Sequence, residues 1–433
     1  MDAKERYDPP RCADATRRDV IKRIEDWVHH DGIRCTPSSL FWLYGAAGVG
    51  KSALAQTIAE KSKTNEVLAA SFFFFKADLS RNDGDRLIPT LAYQLVQTFQ
   101  GLPPFVEQSI LQHPDLFQKT RQNQMLELVV KPLIGLLLEE TGGVHSNSAL
   151  KSHPRLIVID GLDECSNADT QCDLLRIIAG AIPHFPYPLR FLITSRPESH
   201  ITHTFHHDVG EVAQYDLSAD SDADKDIRHF LEGEFAKIRC THPLRQHLPF
   251  QWPPRGTFNS IVEHSSGQFI YASTVIRFLQ SRKHRPDHRL EVILGPKPPC
   301  EMDRPYACLD SLYTSIFLGI QNPGLEKIQR ALGIIHLRSL KSGLFSLSRF
   351  TSNRHAIEVL LNLSPGDIFL LFDGLLSLVA VDENDIRIYH KSLFEYLLDP
   401  SRSGELQLDL GLAHENAASY IALGKQLEDA WGE

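Results

Sequence analysis

Gly45-Ala-Ala-Gly-Val-Gly-Lys-Ser52 combines glycines, one lysine and one hydroxyl, the residue types that a phosphate with a divalent counter-ion requires. Gly45, Gly48 and Gly50 allow backbone N–H groups to close around an anion, and a helix starting at the end of the run adds its positive terminus. A helix N-terminus contributes ~0.3–1 kcal/mol, whereas a unit charge ~4 Å from a phosphate oxygen at intermediate dielectric contributes ~4 kcal/mol before desolvation. Lys51 is therefore expected to dominate, reaching the β- and γ-phosphates of a nucleotide. Gly45, Ala46, Ala47, Gly48, Val49, Gly50 and Ala53 supply the backbone around it, and Ser52 a hydroxyl ligand for Mg²⁺, a hard cation that prefers oxygen.

Asp160 follows the apolar run at 156–159, so a buried strand would carry its carboxylate to the edge of a parallel sheet where ligands bind. There it is expected to hold Mg²⁺ through water. Asp163 and Glu164 come next, and either could orient and deprotonate an attacking water; as a plainer alternative, both could serve the following helix electrostatically. Arg196, after the buried strand expected at 190–194, is placed to meet the γ-phosphate in a bidentate contact and to stabilise charge during transfer.

The elements that must position these groups alternate in type. Strands are expected at 40–44, 69–75, 156–159, 190–194 and 211–217, and helices at 16–30, 53–60, 86–99, 124–139 and 169–182. That order is α/β, a parallel sheet with helices on both faces. From 219 onward the pattern is helical, with helices expected at 224–238, 257–279, 309–320, 325–337, 357–361 and 365–376. Proline-rich breaks fall at 241–256 and 285–304, and a β-hairpin at 379–389 completes the parts of a winged helix.

The chain has 433 residues, 42% of them hydrophobic, enough for two to four domains with their own cores. Its net charge of -9 and lack of a long basic run lead to the expectation of no nucleic-acid partner and no anionic membrane surface. Seven cysteines without a C-x-x-C pair suggest neither a disulfide framework nor a zinc knuckle, which fits a reducing, cytoplasmic setting. The N-terminus lacks an apolar stretch of signal-peptide length, and the greasy run at 369–381 is interrupted by Asp373. His203, His206 and His207 have no cysteine or carboxylate at ligand spacing and read as a polar loop after a strand.

The P-loop, Leu156-Ile-Val-Ile-Asp-Gly-Leu-Asp-Glu164 and Phe191-Leu-Ile-Thr-Ser-Arg196 together resemble a NACHT domain of the signal-transduction (STAND) NTPase class, which contains NOD-like receptors and fungal incompatibility proteins. Asp14-Ala-Thr-Arg-Arg18, Ser71-Phe-Phe-Phe-Phe75, Leu87-Ile-Pro-Thr-Leu-Ala-Tyr-Gln-Leu95 and Gly267-Gln-Phe-Ile-Tyr-Ala272 are similar to mushroom-type fungal proteins with a nephrocystin-3-like NACHT domain. The resemblance implies a linker helix over 1–36, a nucleotide-binding domain over 37–217, a helical domain over 218–300, a winged helix over 301–403 and a C-terminal helix within 404–433. It implies that helical and winged-helix domains close over bound ADP, that His390 touches the β-phosphate, and that Thr16 and Arg17 cover the base. Gly267-Gln-Phe269 departs from the Gly-x-Pro of many members, which puts a base contact there in doubt.

The resulting expectation is a molecular switch that binds ATP or GTP with Mg²⁺, hydrolyses it slowly, is closed with ADP or GDP and self-associates when open. No sensor array or effector segment is read in the chain, through truncation, a partial gene model or a stand-alone life with a partner in trans, and an unknown protein trigger or effector in trans is expected. A scaffold holding ADP without turnover is the alternative. Moving a two-state equilibrium from 1:99 to 99:1 takes ~5.5 kcal/mol, more than one charge-assisted hydrogen bond at ~1.5–3 kcal/mol supplies. A single contact from His390 would not operate the switch alone.

Overall fold

The computed structural model describes residues 9–29, 38–76, 78–141, 155–280, 282, 284–294, 306–318, 320, 324–339, 354–376, 378–382, 386–388 and 392–411. Two compact units divide the chain: Met1–Gly45 with Val49–Asp222, and Ala46–Gly48 with Ala223–Glu433.

In the first unit, β1 (Leu40–Tyr44), β2 (Leu68–Phe73), β3 (Leu156–Asp160), β4 (Arg190–Ser195) and β5 (Ala213–Asp216) form a parallel sheet in the order β2-β3-β4-β1-β5. β3 and β4 are buried along their whole length and β1 up to Leu43. Strands buried on both faces need helices on both. Alternation along β1 sends Phe41 against Trp27 of α1 (Arg18–His29), ring centroids 5.2 Å apart. Leu40 and Trp42 join a core shared with Leu91 and Leu95 of helix Leu87–Thr98 and with Leu175 and Ile178 of helix Ala168–Ala181.

The amphipathic stripe expected at 124–139 lies in helices Arg121–Met125 and Lys131–Thr141, joined by a π-helical turn at Leu126–Val130. That wider turn directly precedes Pro132, whose missing N–H removes an i→i−4 bond. The histidine-rich segment is a helix, Ser199–His207, and not the expected polar loop. Ile201 and Phe205, four residues apart, are buried on one face, and Phe205 stacks on Trp42 at 4.4 Å. His203, His206 and His207 are left on the exposed side. Among the described residues no group of ≥ 3 His, Cys, Asp or Glu could hold a metal ion.

Among its described residues the second unit is helical apart from one antiparallel pair, β6 (Val379–Val381) and β7 (Ile386–Ile388), with Val379 opposite Ile388. The single helix expected over 257–279 is two, Thr257–Ser265 and Phe269–Leu279, because Ser266 and Gly267 both take left-handed backbone conformations. Within this unit the Ile270 N–H, in the first turn of the second helix, donates to the Gly48 carbonyl at 3.1 Å. Part of the proline-rich break forms the helix Pro286–Ile293, with proline at the start where a missing N–H is harmless. The C-terminal helix expected within 404–433 falls, beyond Gly411, outside the described residues.

Truncating Phe205 to alanine is expected to destabilise the first unit by ~3–5 kcal/mol, while His203→Ala on the exposed face stays within ~0.5 kcal/mol. Urea unfolding followed by circular dichroism measures both, and equal effects would contradict this packing.

Candidate functional site

The glycine loop hangs between β1 and α2 (Lys51–Thr64), as the residue types dictate. Gly50 caps α2 at φ 100°, a left-handed conformation that only glycine takes readily; a Cβ there would meet nothing within 4 Å, so the requirement is conformational. Gly50 offers no side chain to the first amides of α2, which leaves the helix terminus uncapped for an anion. Ser52 and Ala53 sit in that first turn. Ala46, Ala47 and Gly48 belong with the second unit.

Lys51 folds back so that Nζ donates to the Gly45 carbonyl at 2.7 Å. Burial lowers its pKa to about 8 from 10.5, with the charge of Asp163 the largest opposing influence, followed by Arg196 lowering and Asp160 and Glu164 raising. An ammonium whose charge is disfavoured by its surroundings gains from an anion placed beside it.

Asp160 ends β3 and is 2% exposed. Ile159 pairs with Ile193, so the next residues, Asp160 and Thr194, face each other across β3 and β4. The Thr194 hydroxyl donates to Asp160 Oδ1 at 2.6 Å and accepts the Gly161 N–H at 2.9 Å, an arrangement that fixes the direction of the hydroxyl and orients the carboxylate. Thr194 is fully buried and was not singled out from the sequence. A hydroxyl directly after the apolar residues Phe191, Leu192 and Ile193, two residues before Arg196, is the signal in the sequence that points to it.

Leu162–Glu164 form one 3-10 turn beyond the strand, and the two carboxylates diverge. Asp163 accepts the Arg196 N–H on Oδ1 at 3.0 Å and pairs with Arg196 Nε through Oδ2 at 3.1 Å. Glu164 accepts the Lys76 N–H at 3.0 Å, and its pKa is raised, by burial first and then by the charges of Asp163 and Asp160. Lys51, Asp160, Asp163, Glu164 and Arg196 thus share one electrostatic cluster at the carboxyl edge of the sheet.

Arg17 stands apart from that cluster. Its guanidinium pairs with Asp220 and donates to the Val49 carbonyl at 3.1 Å. Thr16, beside it, is 2% exposed and donates its hydroxyl to the Ala13 carbonyl at 2.8 Å. His390 lies outside the described residues. Ser52 and Asp160 offer hydroxyl and carboxylate oxygen, a donor set that suits Mg²⁺.

Residues 21–196 match the family model described as nephrocystin 3, N-terminal. That segment begins in α1, carries the whole glycine loop and Asp160–Glu164, and ends on Arg196, so over it the chain is nephrocystin-3-like, as its motifs implied. No curated protein matches the chain. Among solved structures it is similar to the ORC1 protein of Aeropyrum pernix in complex with DNA, at 14% identity and a TM-score of 0.39, over 87% of this chain and 90% of that one. It is similar also to Drosophila ORC bound to GC-rich DNA and Cdc6, at 13% identity and a TM-score of 0.29, over 82% of this chain and 60% of that one.

At such scores the likeness carries no argument about what this chain does. The expectation that nucleic acid is excluded as a partner is corrected: both of those proteins are described with DNA, and the charge balance used for the exclusion does not support it. The physical reason is that a net charge of -9 sums the whole chain and does not describe any single face. Among the described residues no helix is long and apolar enough to cross a membrane.

Because the folded chain holds the Lys51 proton less tightly, at about 8, than a free lysine at 10.5, the unfolded state binds more protons between those values. Stability without nucleotide is expected to rise as pH climbs from about 8 towards 10.5, relative to Lys51→Met, which has no such group. Chemical denaturation across that range compares the two proteins, and parallel curves would show that the Lys51 pKa is not lowered on folding.

Proposed function

We propose that this chain, nephrocystin-3-like over residues 21–196, is a nucleotide-operated switch that binds ATP or GTP with Mg²⁺, hydrolyses it slowly, and is closed with the diphosphate and open with the triphosphate. One observation carries the reading: a half-buried lysine in a glycine loop shares an electrostatic cluster with Asp160, Asp163, Glu164 and Arg196, delivered by the carboxyl ends of parallel strands. Phosphoryl transfer depends on positioning and on stabilising charge, and these groups supply both.

Lys51 takes the β- and γ-phosphate oxygens in place of the Gly45 carbonyl it now meets. Ser52 and Asp160 would hold Mg²⁺, with Thr194 keeping the Asp160 carboxylate oriented. When bound, the metal neutralises charge on the phosphate oxygens. Glu164 is the group that accepts the proton of the attacking water, since its raised pKa favours proton uptake, whereas both oxygens of Asp163 hold Arg196. Arg196 meets the γ-phosphate and stabilises charge as it shifts.

The hairpin β6–β7 after a run of helices supports reading 301–403 as a winged helix, behind a helical domain at 218–300 and a nucleotide-binding domain at 37–217. Free Cys165, Cys172 and Cys240 support a cytoplasmic setting. The open form would self-associate, with a protein trigger or effector in trans.

Nucleotide extracted from the purified chain and identified by mass is expected to be a diphosphate, absent from Lys51→Ala. In single-turnover assays Glu164→Gln should retain nucleotide and slow loss of the γ-phosphate ~10²–10⁴-fold. Asp163→Asn frees Arg196 and should slow it less. Thr194→Val should weaken Mg²⁺ binding ~10–100-fold. A wild-type chain that binds no nucleotide overturns the proposal, and turnover unchanged in Glu164→Gln leaves a scaffold that holds its ligand.

A further inference from the structure

We infer that Arg17 and Asp220 form a buried clamp that sets the shape of the glycine loop, so that Arg17 acts on the phosphates through the Val49 carbonyl and not on the base. The inference rests on the reading of that loop as a phosphate site. The two side chains, 203 residues apart in sequence, are 3% and 9% exposed, and Arg17 Nη1 pairs with Asp220 Oδ2 while Nη2 donates to the Val49 carbonyl at 3.1 Å. Arg17 itself has φ 55°, a conformation that a non-glycine residue keeps only where its surroundings hold it.

The consequence for the loop follows from peptide geometry. The Val49 carbonyl and the Gly50 N–H belong to one planar trans peptide and point in opposite directions. Tying the carbonyl to Arg17 therefore turns the Gly50 N–H away from Arg17, and it does so next to Lys51. The same turn after β5 supports the other end of the loop: a Cβ on Gly45 would stand 2.9 Å from Ser218 Oγ and 3.2 Å from Ser218 N. Ser218 is held in turn by its N–H on Asp216 Oδ1 at 2.8 Å, and Asp220 by the Asp222 N–H on Oδ1 at 3.1 Å. Residues 216–220 thus reach Gly45 directly and Val49 through Arg17.

The test compares a ligand with a base and one without. The full-length wild type, Arg17→Met, Arg17→Lys, Asp220→Asn and the Arg17→Met/Asp220→Asn double variant are titrated calorimetrically with ADP and with inorganic tripolyphosphate, at a temperature where circular dichroism shows each fully folded. Arg17→Met should weaken both ligands by the same factor, about tenfold or more, as loss of a charge-assisted hydrogen bond implies. Asp220→Asn should do likewise, and the double variant should be no worse than the poorer single one. Arg17→Lys keeps a charge for Asp220 but has a single nitrogen for two acceptors, so it should lose part of the affinity for both; it carries the comparison where Arg17→Met does not fold.

Loss of ADP affinity with tripolyphosphate unchanged would overturn the clamp in favour of a base contact, and so would unchanged binding of both ligands by Asp220→Asn. A wild type that takes neither probe, or a Lys51→Met variant that takes both as well as wild type does, would instead overturn the phosphate reading beneath it.

Discussion

An ammonium group taken out of bulk water is unfavourable unless negative charge or a hydrogen-bond acceptor meets it, and the first unit is arranged around one such group at Lys51. The Gly45 carbonyl accepts from it, and Asp163, Asp160 and Glu164 supply the opposing charge. Each carboxylate is held in turn: Asp160 by the Thr194 hydroxyl, Asp163 by Arg196 and Glu164 by the Lys76 N–H. In so compact a network, removing one member leaves a neighbour's charge uncompensated, so the members stand or fall together.

The network exists because of strand order. With β4 between β1 and β3, Thr194 lies beside Asp160 and Arg196 reaches Asp163, while the glycine loop leaves the end of β1 on the other side of β4. Neighbouring strands are ~4.8 Å apart, so the ends of β1 and β3 are separated by ~10 Å. Every strand in this sheet is parallel, so all of these ends open on the same edge, and near-continuous burial of β1, β3 and β4 keeps them in register.

Much of this was legible in the residues. The glycine loop, the apolar runs before Asp160 and Arg196, and the helix stripes around them carry local signals, because burial on both faces of a strand and one face of a helix leaves different periods. The misreadings were local too. In 199–207 three histidines outweighed Ile201 and Phe205, whose four-residue spacing and packing on Trp42 make that segment helical. In 257–279 the apolar pattern ran across Ser266 and Gly267, whose backbone breaks the helix. Whole-chain charge was used to exclude nucleic acid, although it averages away any face that could bind one.

The amino-acid order by itself determined which residues could cradle a phosphate, which strands would be buried, and that an aspartate and an arginine would stand at strand ends. Only the tertiary structure decided how Asp163 and Glu164 differ, that Thr194 orients Asp160, and that Arg17 is held by Asp220 and the Val49 carbonyl. The reason is one of range: burial and helix or strand periodicity act between neighbours in sequence, whereas these pairings join groups 32 to 203 residues apart that only the parallel sheet and its connections bring within hydrogen-bond distance.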